Sequence, residues 1–364
     1  MTKLLFIQYR RAAKVMGGGE QCTKRNYDML CKAVGAENVE VYIIHNEENH
    51  SALWEYIKGA LYMPSGYFFG LTPKRVRALA EKAKAYDVVF IDRSVFGILA
   101  KALKEGGYQG KIITHFHNVE KQYFDDKVSK RLPFRDVLIR CADKNDAWAC
   151  AYSDEIIALN KRDADSLQKF YNIQEPTLIP ISLADKAIDM RKSKELTSRK
   201  LKCLFLGSYF TPNNEGIIWF MRNVAPKVDI DIRVVGKGMK KLKEDEPELL
   251  KDIEVVSDAP ELLPYISWAD VMVLPIFSGS GMKVKTCESL MNGKNIIGTD
   301  EAFEGYEIEE SVSGWRCNTA DEFIACMNEF AAHPRPRWNE NARQCYLNHY
   351  SDQAVEKMFR ELLD

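Results

Sequence analysis

The sequence predicts an α/β protein built from two doubly wound parallel-sheet units, and three observations predict it. Short apolar runs alternate with helical periodicity along the 364-residue chain, the pattern of strands buried on both faces by crossover helices. The alternation lapses in a polar stretch ending in RKSKELTSRK and then restarts. The chain is also longer than a single core usually fills, so two domains of roughly 150–200 residues are expected.

Leu4 to Gln8 reads as a buried parallel strand, followed by a basic loop ending in Gly17-Gly18-Gly19 and a helix through Tyr27, Leu30, Cys31 and Val34. Val39 to Ile44 is the next strand. Pro73 suits a first helical position, before Val76, Leu79, Ala80 and Ala83. Asp87 to Ile91 and Lys111 to His115 read as strands around a helix from Phe96 to Leu103; Arg135 to Ala149 reads as a helix. Glu155 to Leu159 and Thr177 to Ile179 read as strands separated by another helix. After the polar stretch, strands are expected at Cys203 to Leu206, Ile230 to Val235, Ile253 to Val256, Val271 to Leu274 and Asn295 to Gly298. Helices fall at Asn213 to Val224, Pro260 to Trp268 and Val284 to Met291. Three more close the sequence: Asp321 to Phe330, Asn339 to His349 and Asp352 to Leu363. The implied division is a first domain over 1–182, a linker over 183–200, a second domain over 201–345 and a C-terminal helical segment over 346–364 that packs back on the first domain.

The composition is that of an ordinary soluble protein, with 46% hydrophobic and 28% charged residues. A net charge of -1 gives no reason to expect nucleic acid as a partner. Charge is uneven, however: residues 1–200 hold 33 Lys and Arg against 25 Asp and Glu, and residues 201–364 hold 18 against 27. A basic first half could face an anionic surface or acceptor. The nine cysteines include no Cys-x-x-Cys pair, which favours reduced thiols over disulfides or structural zinc. MTKLLFIQYRR reads as a first strand, not a signal peptide, and no run of 18 apolar residues occurs. A cytoplasmic protein, touching a membrane at most from its inner face, is the expectation.

The segment from Pro275 to Gly293 carries the most chemistry. Gly279 and Gly281 flank Ser280 just before a helix and permit close backbone approach or positive φ. The helix start offers unpaired N–H groups to an anion. Lys283 and Lys285 near that first turn oppose the helix dipole, a conflict that a bound diphosphate resolves. Glu288 lies at i+3 from Lys285, on the same face, where a carboxylate can accept from a ribose diol. An ordinary glycine turn followed by an intrahelical Lys–Glu pair is the bland alternative.

This half resembles the nucleotide-binding domain of the GT-B glycosyltransferases, in the large retaining family 4. The resemblance runs through Phe205-Leu206-Gly207-Ser208, Pro212-Asn213-Asn214, Val234-Val235-Gly236-Lys237-Gly238, Trp268-Ala269-Asp270-Val271, the run from Gly279 to Gly293, and Phe303-Glu304-Gly305. It implies a GT-B fold, two Rossmann-like domains facing across a cleft. It further implies that Glu288 binds the donor ribose and that Lys285 or a neighbour steadies the diphosphate. Two departures stand out. Many members carry two glutamates bracketing this loop, and the earlier position here is Ser280; many have Gly-Arg where this chain has Gly207-Ser208. Lys237, Lys283 and Lys285 are therefore the candidate phosphate cations, with Gly207, Gly279, Ser280 and Gly281 as backbone contacts.

In the first half, Gly18 and Gly19 resemble the family's glycine-rich loop, which approaches donor diphosphate and acceptor; a flexible turn is the alternative. Glu20 follows directly and is a candidate acceptor contact. His115 and His117 share a side of their strand, which raises a metal reading, but no third ligand is suggested locally and the family is generally metal-independent. His-Asn-Val-Glu resembles the family's catalytic histidine motif, with His117 placed to hydrogen-bond the transferred sugar. The aromatic stretch from Trp54 to Phe69, near Lys58, Lys74, Arg75 and Arg77, suits either a membrane interface or a core and acceptor pocket.

The implied enzyme is a hexosyltransferase-type glycosyltransferase. It takes a nucleoside-diphosphate sugar as donor and a glycan or lipid-linked acceptor, with retention and without cofactor or metal. His117 and Lys285 are the catalytic candidates. A sugar-nucleotide epimerase of the same architecture and a non-catalytic nucleotide-sugar binding module are the alternatives.

Overall fold

The computed structural model describes residues 2–10, 18–45, 61–68, 70–128, 134–187 and 200–363. The chain divides into two compact units: unit 1 is 1–180 with 355–364, and unit 2 is 181–354. Most of the charge-rich linker stretch, 188–199, lies outside the described residues.

Unit 1 contains β1 (Leu4–Gln8), α1 (Gly18–Val34), β2 (Val39–Ile43), α2 (Pro73–Ala83), β3 (Val88–Ile91), α3 (Gly97–Glu105) and β4 (Lys111–Phe116). It continues with α4 (Glu120–Lys127), α5 (Arg135–Tyr152), β5 (Glu155–Ala158), α6 (Lys161–Tyr171) and β6 (Thr177–Leu178). The six strands form a parallel sheet in the order β2-β1-β3-β4-β5-β6. Strand alternation splits β1 between two cores. Leu5 and Ile7 join Leu79, Leu99 and Phe96 on one face, whereas Leu4 and Phe6 join Met29, Phe90, Val355 and Phe359 on the other. Thr72 caps α2 by accepting from the Arg75 N–H at 3.3 Å, with Pro73 at the first position.

Unit 2 contains β7 (Leu201–Leu206), α7 (Thr211–Asn223), β8 (Ile230–Gly236), α8 (Met239–Asp245), β9 (Glu254–Ser257), α9 (Leu263–Trp268) and β10 (Val271–Leu274). It continues with α10 (Val284–Met291), β11 (Asn295–Gly298), β12 (Trp315–Arg316), α11 (Ala320–Ala332) and α12 (Glu340–Cys345). Its parallel sheet has the order β12-β11-β10-β7-β8-β9. Thr319 and Glu322 form a reciprocal capping box at the start of α11. The last helix, α13 (Asp352–Glu361), begins in unit 2 and runs into unit 1, where Val355, Phe359 and Leu362 enter the core with Leu4 and Phe6.

Two helices depart from the sequence expectation. The helix expected from Pro260 begins at Leu263, with Pro264 in its first turn. The helix expected over Asn339 to His349 is two pieces, α12 and a π-helical turn at Tyr346–Tyr350 that buries both tyrosines. In unit 1 the strand order changes side at β1, with β2 on one flank and β3 on the other, and in unit 2 it does so at β7, with β8 and β10 as the flanks. In each sheet this switch point lies beside a strand end that carries polar residues.

Candidate functional site

In unit 2 the β10 strand runs into Pro275 and the glycine loop, which then turns into α10. Gly281 has φ +60°, a left-handed conformation that favours glycine. Lys283 is the N-cap of α10 and makes no side-chain cap, so the first N–H groups of the helix are left for solvent or ligand. Helix position is fixed by Thr286 Oγ1 donating to Ala302 O at 2.6 Å and by Tyr306 donating to Lys283 O at 2.8 Å. Gly216 of α7 meets the same loop so closely that a Cβ there would lie 1.9 Å from Pro275 O. At Gly207, a Cβ would lie 2.9 Å from the Phe205 ring and 3.1 Å from Asn213.

Lys285 leaves α10 toward the end of β7. Its ammonium donates to Asn213 Oδ1 and stands 5.0 Å from the Phe205 ring centroid. Burial, aided by the nearby Lys283 charge, pushes its pKa down to about 7. The Glu288 carboxyl makes no hydrogen bond or ion pair among the described residues; burial raises it to about 7, against a lowering influence of Lys186. The bland Lys285–Glu288 pair is therefore not formed. Lys283 instead pairs with Glu301 and donates to Gly281 O at 2.9 Å. Ser280 is half-buried in the loop, and Lys237 is exposed at the end of β8, its carbonyl accepting from the Tyr209 N–H at 2.7 Å.

Unit 1 gathers polar groups at the ends of β1, β3 and β4. Gly18 and Gly19 open α1, while Gly17 lies outside the described residues. Asp92, just past β3, is fully buried and accepts from Thr23 Oγ1 at 2.5 Å and Asn26 Nδ2 at 2.7 Å. His117 places Nε2 3.3 Å from the same carboxylate. Burial works to raise the Asp92 pKa, but His117, Arg93 and Thr23 together bring it below the usual range. His117 is lowered by burial despite Asp92, so it is neutral near pH 7, donating from Nε2 and leaving Nδ1 as an acceptor.

His115 packs on His117 with ring centroids 4.7 Å apart, and its Nδ1 meets Asn26 Nδ2 at 2.7 Å. Cys22 supplies the third group that the sequence did not suggest, the three ligand atoms lying within 4.8 Å of one another. The thiol is raised by burial, and each histidine already spends one ring nitrogen on Asn26 or Asp92. Each histidine keeps its second ring nitrogen, His115 Nε2 and His117 Nδ1, buried and without a hydrogen-bond partner among the described residues. Glu20 sits 3.4 Å from Arg10 in an ion pair.

Solved structures of similar fold span the whole chain. Sucrose-phosphate synthase from Thermosynechococcus elongatus matches with a TM-score of 0.75 at 15% identity, over 100% of this chain and 98% of that one. An Anabaena protein, HepE, solved with UDP and glucose, matches at 0.67 and 12% identity over 100% and 99%. The apo lipopolysaccharide outer core galactosyltransferase WaaB matches at 0.68 and 13% over 99% and 98%. The chain has the GT-B fold.

Within that GT-B chain, residues 200–333 match the family model for glycosyl transferases group 1. The match covers most of unit 2, including α10, Lys285 and Glu288. A curated relative, a 44.6 kDa protein in the cps region of Klebsiella pneumoniae, is 23% identical over 243 residues, 61% of this chain and 59% of that protein. The chain thus aligns with about three fifths of the length of that relative.

In unit 2 the Lys285 ammonium reaches Asn213, which lies against Gly207, and Glu288 stands one turn further along α10; in unit 1 His117 reaches Asp92, and Gly19 lies against Arg93. Sequence reasoning missed Asp92, Arg93 and Asn26, as well as any role for Glu120 beyond its motif. Asp92-Arg93 directly after an apolar strand was the available signal. In the aromatic stretch, Phe68 and Leu71 are core residues, whereas Leu61 and Tyr62 are exposed. Arg75 is taken up internally by Gly70 O at 2.8 Å, Tyr42 and Ile43 O, leaving Lys74 and Arg77 exposed. Trp54, Tyr56, Lys58 and Phe69 lie outside the described residues. Among the described residues no helix is long and apolar enough to cross a membrane.

Proposed function

We propose that this chain is a glycosyltransferase that moves a sugar from a nucleoside-diphosphate donor to an acceptor hydroxyl, with retention, in polysaccharide or glycolipid synthesis. One observation carries the reading. Lys285 and Glu288 stand one turn apart on α10, inside the segment that matches the glycosyl transferases, unpaired with each other and each with a pKa drawn to about 7. A diphosphate supplies the charge that Lys285 lacks, and a ribose diol supplies the two hydroxyl donors that the Glu288 carboxylate lacks.

In the reaction, the bond from the anomeric carbon to the diphosphate breaks as positive charge develops on the sugar. Protonated Lys285 and the open N–H groups of α10 stabilise the departing diphosphate. The acceptor oxygen forms the new bond on the face the diphosphate leaves, and its proton passes to the leaving phosphate oxygen. His117 Nδ1 accepts from a hydroxyl of the transferred sugar, held in that tautomer by Asp92. A glycan or lipid-linked acceptor fits the basic first half, and we assign the protein to the cytoplasm, at the inner membrane face when the acceptor is a lipid.

Incubation of the chain with a panel of labelled sugar nucleotides and membrane lipid extract tests this. Label moving to lipid or glycan is the expected result. Isomerised donor with no transfer replaces the proposal with an epimerase, and tight binding without turnover replaces it with a binding module.

A further inference from the structure

We infer that Tyr306 and Tyr350 are positioning residues for the diphosphate: they fix the peptide plane from which the first N–H of α10 points. The inference rests on the nucleotide reading of α10 and goes beyond it, to two buried tyrosines that hold the helix start.

Lys283 is the N-cap of α10, and its carbonyl carries two hydrogen bonds, from the Thr286 N–H at 2.9 Å and from the Tyr306 hydroxyl at 2.8 Å. The peptide that joins Lys283 to Val284 is trans. Its C=O and N–H point in opposite directions within one plane, so donors that fix the oxygen also set the aim of the Val284 N–H. The first turn of the helix needs only the Thr286 bond. The Tyr306 bond is additional, and it acts on the N–H that heads the anion-binding end of α10.

Tyr306 is itself held from behind. Its buried ring packs on that of Tyr350, with centroids 4.8 Å apart and planes at 59°. The Tyr350 hydroxyl oxygen accepts from the N–H of Glu307, the residue after Tyr306, at 2.6 Å. Tyr350 thus grips its neighbour by the ring and by the chain. It ends the π-helical turn, a rare conformation that recurs at functional positions, and its carbonyl accepts from the Leu183 N–H at 3.1 Å. Tyr346, at the other end of that turn, donates to Leu183 O at 2.7 Å. The far end of α10 is tied to the same segment, because Arg343 donates to Met291 O at 2.7 Å and pairs with Asp185. Core packing accounts for the two rings. It does not account for a hydroxyl spent on the one carbonyl that sets the start of α10.

The test is equilibrium titration of the full chain with inorganic pyrophosphate, UDP and uridine. Tyr306→Phe keeps the ring and loses the hydroxyl. It should weaken pyrophosphate and UDP by about three- to tenfold, the scale of one neutral hydrogen bond, and leave uridine as in the wild type. Tyr350→Phe should show the same selective loss, because Tyr350 acts through Tyr306. The double variant should then bind pyrophosphate as Tyr306→Phe does, a non-additivity that two independent packing defects do not produce. Wild-type pyrophosphate affinity in Tyr306→Phe overturns the inference, as does an equal loss for pyrophosphate and uridine, the mark of a general structural defect. Additive losses in the double variant overturn the part given to Tyr350. If Tyr306→Phe does not fold, Tyr350→Phe decides by the same contrast between pyrophosphate and uridine. Failure of the nucleotide reading shows separately, as UDP binding untouched by Glu288→Gln.

Discussion

The Lys285 ammonium donates to Asn213, an uncharged partner, and so keeps its charge only at the expense of burial. Its pKa of about 7 in the folded chain lies below the 10.5 of an exposed lysine. Between those values the unfolded chain binds a proton that the folded chain does not, so stability rises with pH across that window. Below about pH 7 the burial penalty is complete. Lys285→Met should therefore raise the melting temperature at pH 6 more than at pH 9. It should also weaken UDP binding by about tenfold or more. Because a diphosphate restores the charge, wild-type UDP binding should take up a proton above pH 7, read by calorimetry in buffers of different ionisation heat.

Glu288 has the opposite sign. Its folded pKa, about 7, is above the 4.5 of an exposed glutamate. Its contribution to stability is fully present below the unfolded value and is lost as pH rises through the folded one. Glu288→Gln should stabilise the chain at pH 8 and change little at pH 4. A ribose contact further predicts that this variant weakens UDP by roughly tenfold while pyrophosphate affinity stays as in the wild type.

Lys283 and Glu301 form an ion pair with side chains only 8% and 18% exposed. Removal of one partner takes from the other its opposite charge where little water reaches. Lys283→Met and Glu301→Gln should each destabilise more than the double variant's excess over either. A double-mutant cycle in urea should give a coupling of about 0.5–3 kcal/mol. Coupling near zero would show the pair to be solvent-screened.

Gly216 offers a mutation with no charge involved. The added methyl of Gly216→Ala would overlap Pro275 O, so α7 or the glycine loop must move. A loss of about 1–3 kcal/mol is expected by chemical denaturation, the usual range for overpacking. Since the loop leads to α10, UDP affinity should fall as well.

The strands were legible because parallel strands buried on both faces are apolar at every position, as in Val88–Ile91 and Val271–Leu274. Lys285 and Glu288 were legible as a same-face pair, because helix geometry fixes i and i+3 without tertiary information. Their actual partners were not. Asn213 lies 72 positions from Lys285, and Glu301 lies 18 from Lys283. The seven-residue α8, with MKKLKED, is too short and too charged to announce itself, and β12 has only two residues. Arg93 was hidden for another reason: its meaning comes from Gly19, which only the sheet order brings beside it.

The last helix of the chain gives the two units unequal histories during synthesis. Unit 2 is contiguous, and all its residues have been made once position 354 is joined. Unit 1, although begun first, still lacks Val355, Phe359 and Leu362, three side chains that cover Leu4 and Phe6. Until they emerge from the ribosome, that face of its sheet is covered only in part, Met29 and Leu30 of α1 being already in place. The half translated first is therefore completed last.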